Sequence, residues 1–370
     1  MSEQHPGQEP GRSEPWAPPG QSMPPPSYAA QRPAYVANAP AQPSFPHAEP
    51  TPYHQMLRTW TYEPWKPLLG LFICVFAFFV LAAVVFIIVA LIAAAFSSKP
   101  YLDAFTDSAD FKHVTPAMLL GLNLGLASLV PVTWFCIRVL HGMRPRWLTS
   151  VMPKMRWRFF SACLGLAVIA LIAQVVVGNL LPGTGDDLGG STHLNHFTVS
   201  TAISALVILL TTPFQAAGEE YLFRGYGLMA IGSLFPRAQE ELAKWVAIGA
   251  TGILFALAHG SQNFPLFFDR LAFGLIAAWL VTKTGGLEAG LALHVLNNFL
   301  AFGFALALGS LGDTLNISSI SWWNIVVTVT QSGVYTALVL LVARRMGLRN
   351  TTQPPLPQPH SPVPGEVANA

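Results

Sequence analysis

Ala202-Ile-Ser-Ala-Leu-Val-Ile-Leu-Leu210 is followed by Glu219-Glu220-Tyr221-Leu222-Phe223-Arg224, and then by Gly225-Tyr-Gly-Leu-Met-Ala-Ile231. Two acids and a base interrupt a run that otherwise reads as membrane-spanning helix. An ionisable side chain near the centre of a bilayer costs at least ~3 kcal/mol. Three of them within six positions require partners, and those partners must be sought elsewhere in the chain.

Composition extends the membrane reading to the whole chain. Of 370 residues, 52% are hydrophobic and only 10% charged, against about 25% charged in soluble domains. The net charge is +2 and the bases form no stripe, which excludes a nucleic-acid partner. Cys74, Cys136 and Cys163 fall in apolar runs and read as buried small hydrophobes. No cleavable secretory segment opens the chain, so the first apolar run is expected to act as an uncleaved signal anchor.

The fold class expected is all-α: a polytopic membrane helix bundle of about eight transmembrane helices with disordered Pro-rich termini. Runs long enough to cross lie at about 68–96, 116–139, 159–181, 199–230, 245–260, 266–282, 288–309 and 323–344. The domain reading is a disordered Pro-rich cytoplasmic tail over 1–57, then N-terminal transmembrane helices over 58–198. A catalytic core over 199–310 and a last transmembrane helix over 311–348 follow, with a disordered tail over 349–370. Pro, Gln, Ala and Ser dominate the first tail, a composition that cannot bury a core.

Arg138, Arg144, Arg146, Lys154, Arg156 and Arg158 crowd the loop after the second span, whereas Asp103, Asp107 and Asp110 dominate the first loop and Asp186-Asp187 the third. The positive-inside rule then places both termini in the cytoplasm. A bacterial cell membrane is the expected location. Trp60, Trp65, Trp157, Trp322 and Trp323 sit where interfacial anchors belong.

Intramembrane polarity concentrates in spans four to seven. Glu220 and Arg224 are four apart on one helical face, acid first, the order that favours an internal ion pair. Glu219 is rotated by about 100° and is free to face another helix. Phe255 and His259 are four apart, as are His294 and Asn298. Asp269-Arg270 reads as an interfacial anchor, and His193-Leu-Asn-His196 as part of an inert loop.

A carboxylate, two imidazoles and an amide suit hydrolysis by activated water. In one version Glu219 is the general base with His259, and His294 with Asn298 donates to the oxyanion. In the other, Glu219, His259 and His294 hold Zn²⁺. No His-Glu-x-x-His helix is present, and the sequence leaves both versions open.

Glu-Glu-x-x-x-Arg at 219–224, Phe-x-x-x-His at 255–259 and His-x-x-x-Asn at 294–298, with Phe223-Arg-Gly225 and Thr284-Gly-Gly-Leu287 beside them, resemble the motifs of the CPBP family. That family comprises CAAX prenyl endopeptidases and bacteriocin-processing or immunity proteins. The resemblance covers about residues 200–305. It implies an intramembrane endopeptidase in which Glu219 and His259 activate water, His294 and Asn298 stabilise the oxyanion, and Glu220, Arg224 and Phe255 support the site. It implies a membrane-associated peptide or protein substrate in the lipid bilayer, and it leaves metal dependence open. A non-catalytic interaction or immunity protein retaining the fold is the alternative, and an ion-coupled transporter is a weaker one.

Overall fold

A computed structural model describes residues 45–108, 110, 113–184, 193–260 and 262–354. Residues 1–44, the Asp186-Asp187 pair and residues 355–370 lie outside the described residues. The described chain is all-helical, with no strand. The long helices are α1 (Trp65–Ala95), α2 (Pro116–Val139), α3 (Trp157–Leu180), α4 (Val199–Ser233), α5 (Glu240–Leu257), α6 (Phe264–Thr284), α7 (Glu288–Leu308) and α8 (Asn324–Arg345). Short helices Tyr101–Ser108 and Leu311–Leu315 lie in connections.

Seven of the eight, all but α5, are long and apolar enough to cross a membrane, which makes this a multi-pass integral membrane protein. The all-α membrane bundle expected from the sequence is thus found, and the difference from about eight spans lies at α5. Glu240, Glu241 and Lys244 occupy its first five residues, and the uncharged stretch 245–257 rises only about 20 Å. That is short of a ~30 Å hydrocarbon core. α5 still runs beside α6, which returns after a short connection.

Local chemistry sets the helix ends. Thr198 and Thr201 form a reciprocal capping box at the start of α4, and Asn263 caps α6 through the Leu266 amide at 3.2 Å. Gly285 ends α6 in the left-handed region at φ 72°, a conformation that costs glycine nothing. α4 is the longest helix at 35 residues, about 52 Å. It passes through a π-helical turn at Tyr221–Gly227, directly after the acid pair. Turns of this kind recur at functional sites.

α7 lies in the middle, packed against α3, α4 and α6, while α2 lies along α4. Close approach of α2 and α4 depends on Gly218, where a Cβ would run into the backbone carbonyl of Leu126. Gly218→Ala is expected to force these helices apart and destabilise the protein by about 1–3 kcal/mol or more. A lowered melting temperature in detergent, with the glycine protein as reference, is the readout.

The boundary of the N-terminal tail also differs from the expectation. Phe45–Leu57 is folded: Tyr53, Met56 and Leu57 are fully buried, and the Tyr53 hydroxyl donates to the Leu148 carbonyl. The Thr51 N–H donates to Thr352 Oγ1 and the Thr352 N–H to the Thr51 carbonyl, and the Val151 N–H donates to the Gly285 carbonyl. Residues 45–57, the segment around Thr352 and the basic loop thus close one end of the bundle as a cap. Three apolar anchors within five residues outweigh the Pro-rich context.

His47 and His54 belong to this cap. Each donates Nε2–H to a carbonyl, Met56 at 2.7 Å and Glu240 at 3.2 Å, while each Nδ1 is buried without a partner. Burial pushes both imidazoles down from 6.5 to about 4, since a second ring proton would find no acceptor. The folded-state pKa values lie below the unfolded ones, so this stability is complete above pH 6.5 and is lost as pH falls toward 4. Hydrogen exchange over 45–57 is expected to accelerate as the pH is lowered from about 6.5 to about 4.5. Equal protection at both pH values would contradict this.

Candidate active site

Glu219 and Glu220 end the α-helical part of α4, and the π turn that follows carries Arg224. Arg224 and Glu220 are fully buried and meet at 3.0 Å. His294 of α7 stands between the two acids. Its Nδ1 donates to Glu220 Oε1 at 2.9 Å, and its Nε2 lies 3.2 Å from Glu219 Oε2. A ring facing carboxylate oxygens on both nitrogens satisfies both only as a double donor. Two carboxylates, one imidazolium and one guanidinium then sum to zero, which makes this buried cluster tolerable.

Aromatic rings complete the enclosure. The Arg224 guanidinium lies 4.0 Å from the Phe255 ring centroid and 5.2 Å from that of Phe273. Its Nε and Nη2 have no oxygen partner, so the ring faces take their place. Phe273 also meets His294 edge-on, with centroids 5.1 Å apart. Gly290 faces the free Oε2 of Glu220, 2.7 Å from where a Cβ would stand. Glycine is what allows α7 to come this close.

His259 lies just past the end of α5. Its Nδ1 is 2.8 Å from the Phe255 carbonyl, an acceptor only, so Nδ1 carries the hydrogen and Nε2 keeps a free lone pair. Its ring meets that of Phe255 edge-on at 4.7 Å. Asn298, one turn beyond His294, donates Nδ2–H to Gln215 Oε1 at 2.9 Å. Glu219, His259, His294 and Asn298 all line one cavity of about 550 Å³, together with Phe255, Gln215, Asp269 and Arg270.

Of the residues grouped in the sequence, Glu219, Phe255, His259, His294 and Asn298 line the cavity, and several bonds differ from those expected. Glu220 and Arg224 do pair, but Glu220 also holds His294, so the ion pair and the cavity-lining histidine are one network. His294 has both nitrogens engaged. Asn298 is bonded to Gln215, a residue to which the sequence assigned no role. Asp269, read as an anchor, accepts from Thr328 and lines the cavity. Phe273 and the Arg156–Glu288 pair carried no signal in the sequence. Arg156 grips Glu288 through its backbone N, Nε and Nη2 at 2.6–3.0 Å, fixing the start of α7.

Among the described residues no three His, Cys, Asp or Glu side chains gather as a metal-holding group. His294 holds Nδ1 on Glu220 and turns Nε2 toward Glu219 Oε2 at 3.2 Å, an arrangement two ligands of one ion can share, but His259 does not complete a three-ligand group with them.

Residues 201–300 match the family described as "Type II CAAX prenyl endopeptidase Rce1-like", a segment containing every member of the cluster. This agrees with the resemblance carried by the three motifs. The "Uncharacterized protein YyaK" of Bacillus subtilis (strain 168) is 25% identical over 173 residues, covering 46% of this chain and 55% of that protein. The chain thus spans about half the length of the curated relative it matches. No solved structure matches it.

Proposed function

We propose that the protein is an intramembrane endopeptidase that hydrolyses a peptide bond with water activated by Glu219 and His259. The observation that carries this reading is the convergence of Glu219, His294, His259 and Asn298 on one cavity within apolar helices. An ion pair serving structure alone would not need a water-accessible acid beside a free imidazole nitrogen.

Glu219 Oε1 is the oxygen not engaged by His294, and it takes a proton from water as the oxygen attacks the substrate carbonyl. His259 Nε2 accepts or returns a proton, and the proton passes finally to the leaving amine. The second Nδ2 hydrogen of Asn298, held in place by Gln215, donates to the oxyanion, and the imidazolium of His294 adds positive charge beside it. Glu220 and Arg224 fix the orientation of His294. The family match supports a membrane-anchored peptide, prenylated or not, as the substrate class. No step is routed through a metal.

The test is cleavage of membrane-anchored peptides by the reconstituted full chain, by His259→Ala, and by wild type with a chelator. Loss of about 10²-fold or more in His259→Ala, with chelator-insensitive wild-type turnover, is expected. Chelator-abolished cleavage that zinc restores would replace this mechanism with the metal-dependent one. Full activity in His259→Ala would remove that residue from the chemistry.

A further inference from the structure

The two ends of the bundle are chemically opposite, and the cavity belongs to one of them. At the capped end, Tyr53 reaches Leu148, Thr51 meets Thr352, and Leu287 pairs with Thr149. Tyr221, the residue after the acid pair, shares a hydrogen bond with Thr149 Oγ1 at 2.7 Å. Tyr53, Leu148, Val151, Leu222, Leu228 and Leu287 form one buried apolar core on this side of the cluster.

The cavity lies on the other side. Its walls come from the opposite ends of the helices: Leu119 near the start of α2, Gln174 late in α3, Leu266 at the start of α6, and Thr328 at the start of α8. Thr314 and Leu315, in the connection between α7 and α8, stand at its rim. Phe273, beside His294, is nine residues into α6, about 14 Å below that end.

Charge assigns the faces. Arg138 at the end of α2, Arg144, Arg146, Lys154 and Arg156 in the connection that follows and Arg158 at the start of α3 lie at the capped end, with Arg344, Arg345 and Arg349 at the close of α8. At the cavity end the first connection carries Asp103, Asp107 and Asp110 against two lysines. Retention of Lys and Arg in short cytoplasmic loops makes the capped end cytoplasmic.

We propose that the catalytic cavity opens on the non-cytoplasmic face, so that its substrate is a membrane-anchored peptide whose scissile bond is presented from outside. This deepens the hydrolase reading and rests on it for the word substrate; the facing of the cavity stands on geometry and charge. The floor of the cavity, Glu219 and His294, lies within the bilayer. An extended segment therefore reaches it only by entering from the outer leaflet or the outer aqueous phase, past Leu266, Thr314 and Arg270. Peptides confined to the cytoplasm are excluded.

Two readouts separate this inference from the hydrolase reading. Ala258→Cys (cavity wall), Thr314→Cys (rim) and Lys154→Cys (capped end) are treated with a membrane-impermeant charged maleimide in intact right-side-out vesicles holding the full chain. The native cysteines Cys74, Cys136 and Cys163 are buried, so the unmodified protein is the unlabelled control. Labelling of Ala258→Cys and Thr314→Cys from outside, with Lys154→Cys labelled only after permeabilisation, is expected. Outside labelling of Lys154→Cys, or protection of Ala258→Cys while Thr314→Cys is labelled, overturns the proposal. In the second readout, reporter peptides anchored to one or the other leaflet are compared, with Glu219→Ala as blank. Cleavage only on the Thr314 side supports the inference, and cleavage only on the Lys154 side refutes it. Cleavage of neither reporter sinks the hydrolase reading, and the labelling result then decides the facing of the cavity by itself.

Discussion

Glu219→Gln is expected to lower kcat by about 10²–10⁴-fold while leaving KM near that of wild type. The amide keeps the size of the carboxylate and can still accept from His294 Nε2, which lies 3.2 Å from the native oxygen. What it loses is the ability to take a proton from water. Because the change is confined to the reacting step, kcat and kcat/KM fall together. Measured turnover equal to wild type would mean that Glu219 only balances charge. The base would then be sought in His259, a cavity-lining group with a free lone pair. A fall in stability without a fall in kcat per folded molecule would have the same meaning.

Arg224→Met is the change expected to cost most in stability. The side chain is fully buried, pairs with Glu220 at 3.0 Å, and is wrapped by Phe255 and Phe273. Methionine fills much of the volume but leaves Glu220 with His294 as its one cationic partner. Removing one member of a buried pair typically costs about 3–5 kcal/mol, because the other charge stays behind. Thermal melting in detergent reads the loss. Adding Glu220→Gln to Arg224→Met removes that stranded charge and is expected to restore part of the stability, as a positive coupling in the double-mutant cycle. Purely additive losses would show that the aromatic cage, not the ion pair, holds this corner together.

What was legible in the sequence follows from where each interaction lies along the chain. Glu220 with Arg224, Phe255 with His259, and His294 next to Asn298 are four-residue neighbours, and helix geometry alone places each pair on one face. Helix spacing carries no information on Glu220 with His294, 74 residues away, or Arg156 with Glu288, 132 away. Those contacts depend on which helices pack together. Composition hid the cap, because the prolines around Tyr53, Met56 and Leu57 dominated the average. The fifth span differs for a related reason: its apolar residues are numerous, but Glu240, Glu241 and Lys244 take up one end of the helix.

The pairing of Thr51 with Thr352 bears on how the protein is made. These residues are 301 positions apart, and a ribosome adding ~5–20 residues per second needs roughly 15–60 s to go from one to the other. Through that interval Tyr53, Met56 and Leu57 have no finished surface to settle on. Membrane insertion of the early helices must therefore precede closure of the bundle. The cap can dock completely only after the final helix has left the translocation machinery. A chain truncated before α8 would emerge with its buried charged cluster complete in sequence and residues 51 and 352 unjoined, a substrate for quality control rather than a finished bundle.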